Sequence, residues 1–110
     1  MKKIKILNKF LHSPLWYCDE NDIEWDNEKE FLVFINDKEL QKISKNIETL
    51  FNGYYEFNSH NQPCWFNKEK AKNDKLKMLS LLKELNKRLN ELNDGSFDIE
   101  DLETPRVLNL

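Results

Sequence analysis

From Lys68 to Asn93 no proline or glycine interrupts about 26 residues. Asn67 can cap a helix there and Asp94-Gly95 can stop it. Ala71, Met78, Leu82, Leu85, Leu89 and Leu92 fall on one stripe of that helix, with Leu81 beside it. At 1.5 Å per residue the helix would reach roughly 39 Å, about the width of a whole domain of this size. It must therefore lie across a full sheet, bend, or project toward a partner. Leu76 and Leu79 sit roughly 100° or more from the stripe and read as a second contact or as exposed. Two heptads fall short of the three or four a coiled coil needs, so the stripe reads first as core.

A chain of 110 residues makes residues 1–110 one α+β domain. It can bury roughly two-thirds of its unfolded surface without disulfides or metals. Charged residues make up 34% and aromatics 12%, which is wet but too aromatic for disorder. The N-terminus lacks a signal-peptide core, since Asn8 and Lys9 break Ile4–Leu7, and no run approaches a membrane span. With two cysteines, reduced thiols and a cytoplasmic location are expected.

The remaining elements follow from period and punctuation. Lys3–Leu7 alternates as a first strand, although Ile4, Leu7 and Leu11 also fit a helix. Ser13-Pro14 breaks the chain before a short strand, Leu15–Cys18. Asp22–Asp26 alternates, and the continuous apolar run Phe31–Ile35 predicts a central strand buried on both faces. Asn36-Asp37 can cap a helix near 37–52 carrying Leu40, Ile43, Ile47, Leu50 and Phe51. Tyr54–Phe57 and Cys64–Phe66 flank a polar turn as a hairpin, with Pro63 favouring an edge. Ser96–Glu100 alternates as a last strand, followed by a short apolar tail. The expected architecture is an antiparallel sheet of about four to six strands under helices near 37–52 and 68–93. The expected core is Phe31, Val33, Ile35, Leu40, Ile43, Ile47, Met78, Leu82, Leu85 and Leu89.

Charge is segregated along the chain. Every even position from Glu20 to Glu30 is a carboxylate: Glu20, Asp22, Glu24, Asp26, Glu28 and Glu30. Residues 19–30 carry seven acids against Lys29, and residues 94–106 carry five against Arg106. Residues 68–91 carry eight bases against four acids, and residues 2–9 carry four lysines. In an extended chain all six ladder acids share a face, with Ile23 and Trp25 opposite. Neighbours ~7 Å apart then repel by about 0.6 kcal/mol each even in water. The chain's own lysines or a foreign basic surface should relieve that repulsion. The ladder reads either as the solvated edge of a strand or as a docking face for a basic partner. In the docking reading Asp19, Glu20, Asp22, Glu24, Asp26 and Glu28 supply steering and rim contacts. Trp16, Tyr17 and Trp25 are then the anchors.

Other chemistry finds less support. Calcium needs six to eight oxygens at 2.3–2.6 Å, which extended carboxylates cannot share. The spacing of His12, Cys18, His60 and Cys64 matches no zinc finger, and both cysteines neighbour aromatics as small buried hydrophobes do. Neither metal nor cofactor is expected. Asp98 with Glu100, or Glu100 with Glu103, could serve acid–base hydrolysis, but no histidine or glycine loop accompanies them. Acids interrupt the lysine run of the long helix, so nucleic acid is not the expected partner.

In small size, acidic charge and lack of catalytic motifs the chain resembles the small, acidic, cytoplasmic immunity proteins that bacteria carry against secreted toxins. The bias toward Lys, Asn and Ile at the expense of Ala also reads like an AT-rich bacterial genome. That resemblance implies a non-enzymatic, protein-binding module that neutralises a basic toxin domain. A structural or regulatory homodimer built on the leucine-striped helix is the alternative, and a hydrolase with acidic site residues is a second.

Overall fold

A computed structural model describes residues 2–19, 21, 28–57 and 64–110. The strand expected over 22–26, the polar turn 58–62 and the proline after it lie outside those residues. The rest is α+β, with five helices and two small sheets. Strands β1 (Lys2–Ile6) and β2 (Leu15–Cys18) pair antiparallel. Their connection tightens at Phe10-Leu11, where His12 N–H donates to the Lys9 carbonyl. Leu11 stands there at φ 61°, with its N–H donated to Asn52 Oδ1.

The first correction concerns the sheet. β5 (Phe97–Asp101) lies beside β1 on its other edge and runs parallel to it, giving the order β2-β1-β5. A parallel neighbour requires a crossover, and here the whole helical segment between β2 and β5 is that crossover. The other two strands, β3 (Tyr55–Glu56) and β4 (Trp65–Phe66), do form the expected hairpin, but as a separate sheet. The described residues therefore contain sheets of three and two strands rather than one of four to six.

The second concerns Phe31–Ile35. The run is helical: a 3-10 turn, Glu28–Phe31, leads into α1 (Leu32–Ile35). Phe31 and Phe34 are fully buried, while Val33, expected in the core, is 60% exposed and Leu32 also faces out. Burial at i and i+3 is a helical signature. The two buried rings close on β2 and β5, Phe31 at 4.9 Å from Tyr17 and Phe34 at 4.8 Å from Phe97. The centre of the sheet is already taken by β1, whose Ile4 and Ile6 are buried. Ile35 packs against the core only in part.

Helix α2 (Lys38–Asn52) is capped by Asp37, whose carboxylate accepts the Leu40 N–H at 2.8 Å. Leu40, Ser44, Ile47 and Phe51 form its buried face, and Ile43 is only partly covered. Ser44 occupies a core position because its Oγ meets Ser13 Oγ at 3.0 Å. The long helix is bent, one of the three outcomes its length allowed. α3 (Lys68–Asn73), capped by Asn67, and α4 (Lys75–Leu92) meet at Asp74, whose φ −93° and ψ 10° leave the helical region. The bend keeps Ala71 against the hairpin side of the core while Met78, Leu82, Leu85 and Leu89 run under the sheet, all buried. Leu79 is half-covered by the core and Leu76 is 81% exposed.

The apolar tail is a fifth helix, α5 (Glu103–Leu108), despite Pro105. Proline is tolerated in a first turn, where its missing N–H has no intrahelical partner. Asp101 Oδ1 accepts the Glu103 and Thr104 N–H groups at 3.0 and 2.9 Å, satisfying two donors of that turn. Val107 then anchors the helix in the core.

Candidate functional site

The described part of the acidic segment starts and ends at one end of the three-stranded sheet. Asp19 follows β2 directly, one step beyond the Lys3–Cys18 pair, and so lies toward Lys2. Lys2 Nζ is ion-paired with Glu30. Both ends of the segment are thus held near the start of β1. Asp19 Oδ1 accepts the Asn21 N–H at 2.8 Å, turning the chain out of the strand. The backbone of Glu28 opens the 3-10 turn. Glu20, Asp22, Glu24, Trp25 and Asp26 lie outside the described residues.

The two described anchor candidates do not act together. Trp16 and Tyr17 are successive residues of β2 and so point to opposite faces. Tyr17 packs inward on Phe31. Trp16 lies on the outer face, stacked on His12 with ring centroids 3.7 Å apart, and its Nε1–H donates to the Leu7 carbonyl at 2.8 Å. Lys9 Nζ stands 5.8 Å from the Trp16 ring. On the same outer face Lys3 pairs with Glu100 at 2.9 Å. The chain's own lysines therefore hold Glu30 and Glu100.

The other candidate chemistry is dispersed. Cys18 is buried, as a small hydrophobe should be, but Cys64 is exposed, contrary to its expected burial. Among the described residues no group of three His, Cys, Asp or Glu could hold a metal. Glu100 sits on the outer sheet face with Lys3, whereas Glu103 is buried on the inner side.

Glu103 belongs to a feature that the sequence reading passed over. Between α4, α5 and the β3–β4 hairpin lies a cavity of about 70 Å³. Asn8, Phe51, Tyr54, Phe66, Met78 and Glu103 are among its walls, and Arg106 and Leu110 also border it. Glu103 Oε1 accepts the Asn8 N–H at 3.1 Å and Arg106 Nη1 at 3.2 Å. Burial raises the Glu103 pKa, against the pull of the Asn8 N–H and Arg106. Asn8 Nδ2 faces Met78 Sδ at 3.7 Å, while Asn8 Oδ1 and the Tyr54 hydroxyl, both buried, lack a hydrogen bond of normal geometry. Burial first, then the charge and loose hydrogen bonding of Asp74, push the Tyr54 phenol up to about 12. In sequence Asn8 reads as a break in the N-terminal apolar run, and Glu103 as a possible acid–base partner of Glu100 in an acid-rich terminal segment. Only the approach of residues 8, 54 and 103 in space makes them a site.

A second polar cluster ties the helices together. Asp37 Oδ2 and Oδ1 accept Arg88 Nε and Nη2 at 2.9 and 2.6 Å, and Glu39 and Glu91 flank the guanidinium. Its carboxylate is thereby joined to α4 as well as to its own helix, a structural role.

No protein-family model matches the chain, and no curated protein or solved structure matches it significantly. No helix among the described residues is long and apolar enough to cross a membrane.

Proposed function

We propose that this chain is a non-enzymatic protein-binding module that docks a basic partner through the acidic end of its sheet. The biological role that this fits is that of a bacterial immunity protein holding a toxin domain inactive. The observation that supports it is the convergence of Asp19 and Glu30 on the start of β1, which sets both described flanks of the acidic segment at one end of the sheet. Charge gathered at one end steers a basic partner from a distance and sets its orientation. Trp25 is the anchor in this reading. Tyr17 supports the sheet from inside, and Trp16 extends the contact on the outer face.

The leucine stripe lends less to a homodimer. Met78, Leu82, Leu85 and Leu89 are already buried within the chain, which leaves Leu76 as the exposed leucine of that helix.

The test begins with the neighbouring gene. If it encodes a secreted protein with a basic toxic domain, co-production of this chain should restore growth to cells making that domain. The purified pair should sediment as one complex, with the toxin's activity blocked. Unrestored growth with separate sedimentation would sink the reading.

A further inference from the structure

We infer that the turn joining β1 to β2 is a contact for the surface of an anionic bilayer, with Phe10, Leu11 and Phe57 entering the interface. The turn closes where His12 N–H donates to the Lys9 carbonyl at 3.1 Å, which puts Phe10 and Leu11 at its centre. Such positions favour glycine, asparagine or aspartate. Leu11 stands at φ 61°, where the Cβ of an L residue crowds the next carbonyl oxygen. The turn is fixed from outside, by the Leu11 N–H donated to Asn52 Oδ1 at 3.0 Å. What this strained backbone presents is a leucine side chain 74% exposed. Folding gains nothing from that exposure, and residues held in rare conformations cluster where proteins meet ligands. Beside Leu11 the Phe10 ring lies 4.3 Å from Tyr55 and 5.8 Å from Phe57, and Phe57 is itself 54% exposed. Tyr55 packs in turn on Phe51, so the outer rings stand on the core.

Charge selects the occupant. Among the described residues of the turn, the hairpin and α3, the exposed charged side chains are Lys9, Lys68, Lys70 and Lys72 against Glu69. Lys70 Nζ reaches the Gly53 carbonyl at 2.9 Å, next to the Asn52 that holds Leu11, so α3 borders the turn. Glu56 is half-buried, with its Oε1 accepting Asn67 Nδ2 at 3.3 Å. Lysines draw such a surface to anionic headgroups, and aromatic and leucine side chains enter the layer beneath. A projecting turn needs no shaped pocket in a bilayer. The acids near Lys2 lie roughly 20 Å away along the strand, beyond the ~8 Å over which charge acts at physiological salt. The inference uses the other end of the sheet and does not depend on the docking reading.

The experiment is sedimentation of the full chain with vesicles of phosphatidylcholine and phosphatidylglycerol in equal parts, against vesicles of phosphatidylcholine alone. Wild type should pellet with the mixed vesicles, less with the neutral ones, and progressively less as salt rises. Leu11→Gly should weaken pelleting on the order of tenfold, because the burial of a leucine is lost. Its melting temperature should rise, because glycine takes a positive φ without strain. A leucine that only supported the fold would not move those two readouts in opposite directions. Phe57→Ser should weaken pelleting similarly. Val33→Ser removes a comparably exposed side chain elsewhere on the molecule and should leave pelleting unchanged. Wild type staying in the supernatant, neutral vesicles binding equally well, or Leu11→Gly pelleting like wild type would each overturn the inference. A dimer formed without vesicles and dissolved by Leu11→Gly would overturn it too, and would make a second copy the occupant.

Discussion

Two carboxylates show how position alone sets opposite pH behaviour. Asp37 gives its oxygens to Arg88 and to the Leu40 N–H, and these hold its pKa down at about 2, the Arg88 hydrogen bond most strongly. A lowered folded value means that the contribution to stability is present above the ordinary value of 3.8 and is lost as pH falls through about 2. Asp37→Asn should therefore melt lower than wild type near neutral pH, and the gap should shrink on going to about pH 2. An unchanged gap in melts at the two pH values would show that Asp37 does not carry the linkage. Glu103 has the opposite sign, because burial raises its pKa above the ordinary 4.5. Its neutral form suits the core, so the favourable contribution is present below 4.5 and lost as pH rises through the folded value. Glu103→Gln stays neutral and keeps a carbonyl for the Asn8 N–H. It should gain on wild type between about pH 4 and pH 8, measured as the difference in melting temperature. The cap position of Asp37 points to its sign, since an N–H donated to a carboxylate favours the charged form, whereas the sign of Glu103 depends on a burial that no local pattern announces.

At the scale of elements, what the sequence revealed depended on how local the cause was. Asp37 and Asn67 cap helices by bonding three residues ahead, and both caps were readable from neighbours alone. The stripe Met78, Leu82, Leu85 and Leu89 was equally local. Phe31–Ile35 was not, because a short apolar run fits a buried strand or a buried helical turn, and only the occupant of the sheet centre decides between them. Alternation marks β5 as a strand but not as parallel to β1, because direction is set by the crossover. The helical reading of the run has a direct test. Phe34→Ala should cost about 3–5 kcal/mol, as for other buried phenylalanines, and Val33→Ser within about 0.5 kcal/mol. A strand buried on both faces would make both changes costly in denaturant melts. The candidate site was legible only in part. The acidic ladder is visible as a pattern, whereas the cavity joins residues 8, 54 and 103, which share no local signal.

For the molecule as a whole, opposite charges separated in sequence meet across the sheet. The lysines of residues 2–9 and the acids near the C-terminus come together where β1 runs beside β5, with Lys3 on Glu100, and Lys2 takes Glu30. These pairs are partly exposed and each contributes little, within about 1 kcal/mol. The described flanks of the ladder, Asp19 and Glu30, lie at the Lys2 end of β1. If the ladder's charge serves a partner, neutralising it should spare the fold and impair association. The variant carrying Asp22→Asn, Glu24→Gln and Asp26→Asn separates the two roles. Its melting midpoint should match or slightly exceed that of wild type, since adjacent like charges in water cost about 0.6 kcal/mol per pair. Its association with a basic toxin domain should slow at low salt and lose much of its salt dependence, because steering acts through long-range charge that salt screens. A variant that unfolds readily would show that the ladder is paired within the chain. One that folds and binds at the wild-type rate at low salt would remove the acidic end as the docking surface and leave the ladder as a solvated edge that discourages aggregation.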